Sequence, residues 1–563
     1  MPEEQEKPPD TRDDTIPPRS DPSDNAQLEK DNTVNGENEE NSQPPVLEGW
    51  RLRLLTVGIC LCVFLSSLDI TIQLGGVQLP DLLFQYKPVK PSVLAFDSFS
   101  YSSPGFLIIW AKLSDFFGRK LMLVTAVVLF LAFSGGCGCA HTLTQLILCR
   151  SLQGVGGAGI FSMVPIVVAE MVQPAKYGAY NGIVSLAIAF SFLLGPLFGG
   201  AISDGATWRW IFYINLPVGF VGLILVLVAM PAGFPNSSAI TSPTFCNLIR
   251  RNVTLRGRID YPGFSMLLAA SVLLIVAIEE AGISFTWSST LVIAFLVAAG
   301  VLLILFLVWQ WYLYHAKSAR EPILPWVFFK KRVMMGIFLN ALLSGVPFVT
   351  LVLELPLRFM SINGRSGLKS GISILPFTLT IAFGSALTGG LTARGRVPPI
   401  VLLFTATVLQ ILGIGLLYSV PVNASIPARV YGYQTLAGLG TGLSLTTLLN
   451  IVPFIVERRV LAVALGGVTQ LRILGGALGV SIATNLLNNN AKNQLAAQLS
   501  ADALVQILKD VSSVRTLSPT DQSIVHAAFA EGYHQQLAMI LGFCAAESIA
   551  LALMWEWPMR RLA

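Results

Sequence analysis

Two ionisable side chains stand where charge is costly. Asp69 lies in "SSLDITIQL", near the middle of a long apolar run with no basic residue within two turns, and Arg150 lies in "RSLQGVGGAG", inside another such run. An arginine inside a membrane span costs roughly 2.5–3.5 kcal/mol on insertion scales, so Arg150 should face a cavity or a partner. Arg150, Gln153, Gly154 and Gly157 recur at helical spacing and share one face. A buried carboxylate such as Asp69 can load and release a proton as its access to water or to a cation changes. The plainer readings are a snorkelling arginine near the end of its span and a kink or hydrogen-bonding role for Asp69 beside Thr71.

The same stretch imitates a nucleotide fingerprint: Gly154, Gly156 and Gly159 fit G-x-G-x-x-G. A dinucleotide turn needs a buried strand before the glycines, a helix opening on them, and an acid roughly 20 residues on. Here the glycines sit inside one continuous apolar stretch, and the next acid, Glu170, closes it. Small residues in this pattern let a neighbouring membrane helix approach closely. Gly154, Gly156, Gly157 and Gly159 are therefore expected to pack helices, and no nicotinamide cofactor is expected.

The elements that carry these residues follow from composition. The chain has 563 residues, of which 53% are hydrophobic and only 12% charged. A soluble domain runs nearer a quarter charged, so most of this chain cannot face water. Its apolar runs are roughly 18–25 residues long, enough to cross about 30 Å of hydrocarbon. Fourteen spans are expected, near 56–79, 94–111, 121–139, 143–169, 180–202, 210–230, 261–279, 289–314, 335–357, 371–393, 399–420, 430–455, 461–486 and 534–557. The cysteines show no zinc spacing and the four histidines form no H-E-x-x-H, so neither a metal nor a catalytic role is expected.

Residues 1–50 are acidic and rich in Pro, Asn and Ser, which predicts a disordered tail without an apolar signal-peptide core. Lys and Arg concentrate in "KLSDFFGRK", "LIRRNVTLRGR", "YHAKSAREPILPWVFFKKR", "TARGR" and "VERR", which places both termini on the cytosolic side. The sequon at Asn423 then falls outside and could carry a glycan, whereas those at Asn236 and Asn252 fall inside. "QGVGGAG" in the fourth span has a faint echo, "AGLGTG", in the twelfth, and "AKLSDFFGRK" has one in "GGLTARGR". This predicts two six-helix bundles, 51–231 and 335–557, the second with a long outer loop at 487–533. Between them come a basic loop at 232–260, an inserted helix pair at 261–315 and a loop at 316–334, and residues 558–563 end the chain on the cytosolic side.

With these motifs in view, the chain resembles the major facilitator superfamily and, within it, the fourteen-span drug:proton antiporters, over about residues 51–557. "AKLSDFFGRK" is similar to the family's cytosolic gate motif, with Ala111 where glycine is usual. The resemblance implies a gate built from Lys112, Asp115, Gly118, Arg119 and Lys120, joined by Glu170. "RSLQGVGGAG" is similar to the motif whose arginine, here Arg150, is implicated in proton coupling, and "LDITI" puts Asp69 at the acidic position of the first-span motif. "GPLFGG" is similar to the antiporter motif of exporters, with Gly195, Pro196, Gly199 and Gly200 mid-membrane. "WRWIFYINLPVG", "REPILPWVFFKKR" and "QLRILGGALGVSIA" are close to subgroup patterns.

The resemblance implies an all-α polytopic membrane protein of the major facilitator fold, with two six-helix bundles and two inserted helices. It implies proton-coupled efflux of drugs or amphipathic secondary metabolites, as in fungal toxin pumps; uptake of a siderophore or an amino acid is the alternative. No cofactor is implied, only a proton gradient. The partners are a small-molecule substrate, protons and the lipid bilayer, with no nucleic acid, and the chain would function as a monomer. The plasma membrane is the expected location and the vacuolar membrane the alternative. Residues 73–104 depart from the family pattern, through an altered outer entrance or a misread exon, and are given no role. Glu354 in "LVLELPLRFM" also departs. Its i,i+4 spacing to Arg358 predicts an interfacial ion pair; the alternative is that Glu354, like Gln153, faces substrate.

Overall fold

Each apolar run becomes a helix, because a chain in hydrocarbon must satisfy its own backbone groups. The computed structural model describes residues 47–76, 105–205, 207–231, 234, 258–281, 285–316, 320–392, 396–421, 426–495 and 519–559. The acidic tail up to residue 46, most of the divergent stretch 73–104, most of the basic loop and Asn423 lie outside the described residues.

In chain order the helices are α1 (Gly49–Gly76), α2 (105–117), α3 (Arg119–Gly138), α4 (Leu143–Met171), α5 (Tyr177–Gly205) and α6 (Trp210–Ala229). The inserted pair is α7 (Tyr261–Glu280) and α8 (Thr290–His315). The second half holds α9 (Arg332–Ser361), α10 (Leu375–Thr392), α11 (Pro399–Tyr418), α12 (Arg429–Ile451), α13 (Leu461–Leu495) and α14 (Pro519–Met554). All except α2, of which only 13 residues are described, belong to the 13 described helices long and apolar enough to cross a membrane.

Local sequence explains several starts. Thr142 caps α4 in a capping box: its hydroxyl accepts from the Gln145 amide, whose side chain accepts from the Thr142 N–H in return. Asp260 caps α7, with Pro262 in its first turn, and Ser289 caps α8.

The two halves repeat one pattern of neighbours. In each, the first helix packs against the fifth and sixth, and the third against the fourth and sixth: α1 on α5 and α6, α3 on α4 and α6, then α9 on α13 and α14, α11 on α12 and α14. The crossings use glycine as expected: a Cβ on Gly156 of α4 would lie 2.5 Å from the Phe130 backbone nitrogen of α3, and one on Gly440 of α12 would lie 2.6 Å from the Ala406 carbonyl of α11. The inserted helices pack on each other, and α7 lies against α2 and α13. On α8, Ile293, Val297, Val301, Ile304 and Val308 form an exposed apolar stripe, a surface suited to lipid.

Two boundaries differ from expectation. The 487–533 stretch is helical over 487–495 and from 519, so α13 and α14 project well beyond the predicted spans. Their extensions pack through Leu495, Val525, Phe529 and Tyr533, an apolar pairing that keeps both helices going. The second difference is at the gate motif, which is a tight corner between two helices rather than a loop: α2 runs to 117 and α3 starts at Arg119. Gly118 alone separates them at φ +93°, a conformation that side-chain-bearing residues rarely adopt.

Candidate functional site

Four helices of the first half meet around Asp69, which is fully buried. The Arg150 Nη1 of α4 donates to Asp69 Oδ2 at 2.7 Å and to Gln153 Oε1 at 2.7 Å. Gln153 Nε2 donates to Asp69 Oδ1 at 3.1 Å and to the Ser134 hydroxyl of α3 at 2.7 Å. Asn215 Nδ2, from α6, reaches Asp69 Oδ1 at 3.2 Å. The Arg150 guanidinium also stands 5.4 Å from the centre of the Phe212 ring. The sequence showed no cation near Asp69 along its own helix; the fold supplies one from a helix 81 residues away. Arg150 is 1% exposed and paired, which rules out snorkelling. Thr71 does not bond Asp69; its hydroxyl stands 3.2 Å from the carbonyl oxygens of Ser67, Leu68 and Ser191, which share its one proton.

The last of those bonds ties α1 to α5. Gly195, first residue of "GPLFGG", is buried against Thr71, and a Cβ there would collide with the Thr71 side chain. Gly199 is buried too, and Pro196 and Gly200 lie within the same helix. The fifth-helix motif thus presses on α1 two residues from the buried acid. Gly154 and Gly157 are buried on α4 with Gly156 and Gly159, and Gly159 approaches Ala126 and Trp110.

A second constellation lies at the α2–α3 corner, the gate end of the bundle. Arg119 Nη2 pairs with Glu170 Oε1 at 2.8 Å, and its Nε donates to both Glu170 oxygens at 3.0 Å. Its Nη1 reaches Asp115 Oδ1 at 2.7 Å and the Ser114 hydroxyl at 2.6 Å. One planar guanidinium thereby joins α2, α3 and the end of α4, a use for which Arg is better shaped than Lys. Lys120 departs from the expected set. Its Nζ bonds the Leu227 and Met230 carbonyls at the end of α6, where a cation satisfies unpaired carbonyls.

Lys112 pairs with Glu321 at 2.8 Å, and Glu321 stands 3.7 Å from Arg459, which precedes α13. Partial burial works against the Glu321 charge, but Lys112, Arg459 and Arg258 outweigh it and hold its carboxyl below the ordinary value. The segment after the inserted helices therefore bridges both halves. Further contacts join the two halves: Asn181 Nδ2 donates to Asn450 Oδ1 at 2.8 Å, Gly178 abuts Gly389, and the Ile108 amide donates to Gln470 Oε1 at 3.1 Å.

In the second half, Glu354 does not pair with Arg358. Its oxygens accept from Thr484 Oγ1 at 3.4 Å and Gln536 Nε2 at 3.3 Å, because its face of α9 meets α13 and α14. Sequence reasoning passed over Glu321, Asn215 and Glu547, a fully buried acid that accepts from Thr407 at 3.1 Å. Glu321 and Asn215 lay in stretches already singled out, "REPILPW" and "WRWIFYINLPVG", but nothing in local spacing marks their partners. Among the described residues no group of three His, Cys, Asp or Glu could hold a metal.

Comparison with known proteins fits this arrangement. The chain is 38% identical over 514 residues to the MFS-type transporter FPY5 of Fusarium mangiferae, covering 91% of this chain and 85% of that one. It is 28% identical over 510 residues to the efflux pump FUS6 of Gibberella fujikuroi, covering 89% of this chain and 88% of that one. Among solved structures, a bacterial homologue of the human lysosomal transporter Spinster superposes with a TM-score of 0.55 at 14% identity, over 91% of this chain and all of that one. That likeness carries the fold. The Major Facilitator Superfamily pattern matches residues 59–480, and the chain belongs to that superfamily as a multi-pass membrane transporter of small molecules.

Proposed function

We propose that the chain exports small molecules in exchange for protons by alternating access, with Asp69 as the proton-carrying group. The observation that carries this reading is the buried Asp69–Arg150 pair set against Gly195 of α5. A relative named as an efflux pump supports the direction. Protonation of Asp69 cancels its attraction for Arg150, so the pair loosens and the guanidinium, left with the neutral acceptor Gln153, is driven to seek another partner. Because α5 abuts α1 beside the acid, loosening reaches the helix that also carries Gly178 and Asn181 at the gate end.

In this account the Arg119–Asp115–Glu170 cluster and the Lys112–Glu321–Arg459 strap hold the cytosolic face shut, and both termini lie on that face. A membrane potential of about 100 mV supplies roughly 2.3 kcal/mol per charge. One pH unit adds about 1.4 kcal/mol. One proton per cycle therefore sustains a substrate gradient of roughly a few hundredfold. The substrates are amphipathic secondary metabolites or drugs, the membrane is the plasma membrane, and the unit is the monomer.

The test is accumulation of rhodamine 6G and Nile red in pump-deficient yeast expressing the chain, with surface protein quantified. Export predicts lower accumulation that a protonophore abolishes. Higher accumulation than in empty cells would mean uptake instead.

A further inference from the structure

The buried positions of α8 are Val292, Ala299, Phe306, Gln310 and Leu313, a narrow seam at heptad-like spacing on a helix otherwise turned outward. Gln310 is the polar member of that seam and is fully covered. A carboxamide shut away from water is costly unless its donor and its acceptor are both met. Here Nε2 donates to Asp260 Oδ2, at the start of α7, at 2.8 Å, and Oε1 accepts from the Leu324 amide at 3.3 Å.

Asp260 is 1% exposed and gathers donors from both inserted helices. Its Oδ1 accepts from the Gly263 amide at 3.0 Å and from Trp309 Nε1 at 2.7 Å. Glycine at 263 makes room for the cluster: a Cβ there would press on Asp260 Oδ2 and lie 2.7 Å from Gln310 Nε2. The start of α7 is thereby tied to the end of α8.

The same end of the pair grips the strap that carries Glu321. The Glu321 amide donates to the Arg258 carbonyl at 2.9 Å, just before Asp260, and the Leu324 amide is held by Gln310. Ile323, between these two anchors, is fully buried. With its backbone fixed on both sides, Glu321 pairs with Lys112 of α2 at 2.8 Å and stands 3.7 Å from Arg459, which precedes α13. The inserted pair, through this short segment, sets where a contact between the two halves is made.

Donor and acceptor chemistry gives the chain of contacts a direction. A carboxylate only accepts, so Asp260 compels Gln310 to present its NH2 group and to turn its oxygen toward Leu324. Asparagine at 260 would need its own oxygen for Gly263 and Trp309, leaving its NH2 group facing that of Gln310. Reversing Gln310 would relieve that clash and set two donors against each other at Leu324. Either way a buried donor goes unmet, at a cost comparable to a lost hydrogen bond or more.

We propose that Asp260 is a positioning residue for the gate: by fixing which way round the Gln310 carboxamide lies, it holds Leu324 and so places Glu321 on Lys112 and Arg459. The inserted helices thus set the closure of the cytosolic face, a closure that itself rests on the export reading.

The experiment uses purified full-length protein in detergent with two readouts: hydrogen exchange at the Leu324 amide, and maleimide labelling at Asn450→Cys, buried where the halves meet. Asp260→Asn should speed exchange at Leu324 and raise labelling severalfold. Adding Glu321→Gln should raise labelling no further, because Asp260 acts through Glu321. Glu321→Gln alone should raise labelling while Leu324 stays protected. The double variant Asp260→Asn, Gln310→Glu restores the order of donor and acceptor, since the carboxylate at 310 accepts both from the amide at 260 and from Leu324. It should recover most of the protection and of the low labelling. Gly263→Ala removes no polar group yet wedges against the Asp260–Gln310 bond, and should act as Asp260→Asn does even where that variant folds poorly.

Wild-type labelling in Asp260→Asn, labelling that adds to that of Glu321→Gln, or a double variant no better than the single would each overturn the proposal. Unchanged labelling in Glu321→Gln would instead remove the gate reading of the strap. Exchange at Leu324 would still decide whether Asp260 places the segment, so the two failures are distinguishable.

Discussion

Arg150 and Asp69 form a 2.7 Å ion pair in the interior of the first half, and each is almost wholly shielded. Neither charge could stay there alone. Breaking a buried pair by removing one partner typically costs about 3–5 kcal/mol, because the other charge is left uncompensated.

Arg150→Ala should therefore destabilise the protein by about 3–5 kcal/mol. The double variant Asp69→Asn, Arg150→Gln should recover most of that loss, since it leaves no buried charge. Thermal unfolding in one detergent checks this; equal stability of the single and double variants would contradict it.

Gly195 has no room for a side chain, because the first added carbon meets Thr71. Gly195→Ala should cost about 1–3 kcal/mol by overpacking and lower dye efflux at equal surface expression. Thr71→Ala, which removes the obstructing hydroxyl but leaves the Cβ and backbone carbon of residue 71 in the way, should restore efflux to the Gly195→Ala protein only in part. Additive losses would show that the two positions do not press on each other.

Glu170 receives three hydrogen bonds from Arg119. With Glu170→Gln the guanidinium keeps Asp115 and loses one of its two charged partners. Maleimide labelling at Asn450→Cys, buried where the halves meet, should rise severalfold in that background. Unchanged labelling would mean the cluster does not hold this end closed.

Acid should open the strap only at the bottom of the carboxylate range. Glu321 is held below its ordinary value, so its contact with Lys112 is present above that value and lost as pH falls through the lowered one. The difference in labelling at Asn450→Cys between the Glu321→Gln protein and its parent should stay constant from about pH 8 to about pH 5. Glu321→Gln should raise labelling across that whole interval. A Glu321→Gln effect that vanishes on mild acidification from neutral pH would contradict the assignment.

Much of this architecture is legible in the sequence. Long apolar runs fix helices because hydrocarbon permits little else, and "RSLQGVGGAG" declared a packing face once its setting was read. The gate residues could be named from a motif, yet Lys120 turned to the end of α6 and Glu321 entered unannounced. Ion pairs across a fold depend on which helices become neighbours, which one sequence does not record. The Glu354–Arg358 spacing misled for the same reason: i,i+4 proximity competes with whatever the neighbouring helices offer, and here α13 and α14 offered Thr484 and Gln536.

The most direct measurement compares wild type with Asp69→Asn in two assays at equal surface protein: steady-state rhodamine 6G accumulation with and without protonophore, and the rate at which preloaded cells exchange labelled for unlabelled dye. The account predicts that Asp69→Asn still exchanges dye but holds no gradient, so protonophore changes nothing. An Asp69→Asn protein that keeps a protonophore-sensitive gradient would show that the proton is carried elsewhere.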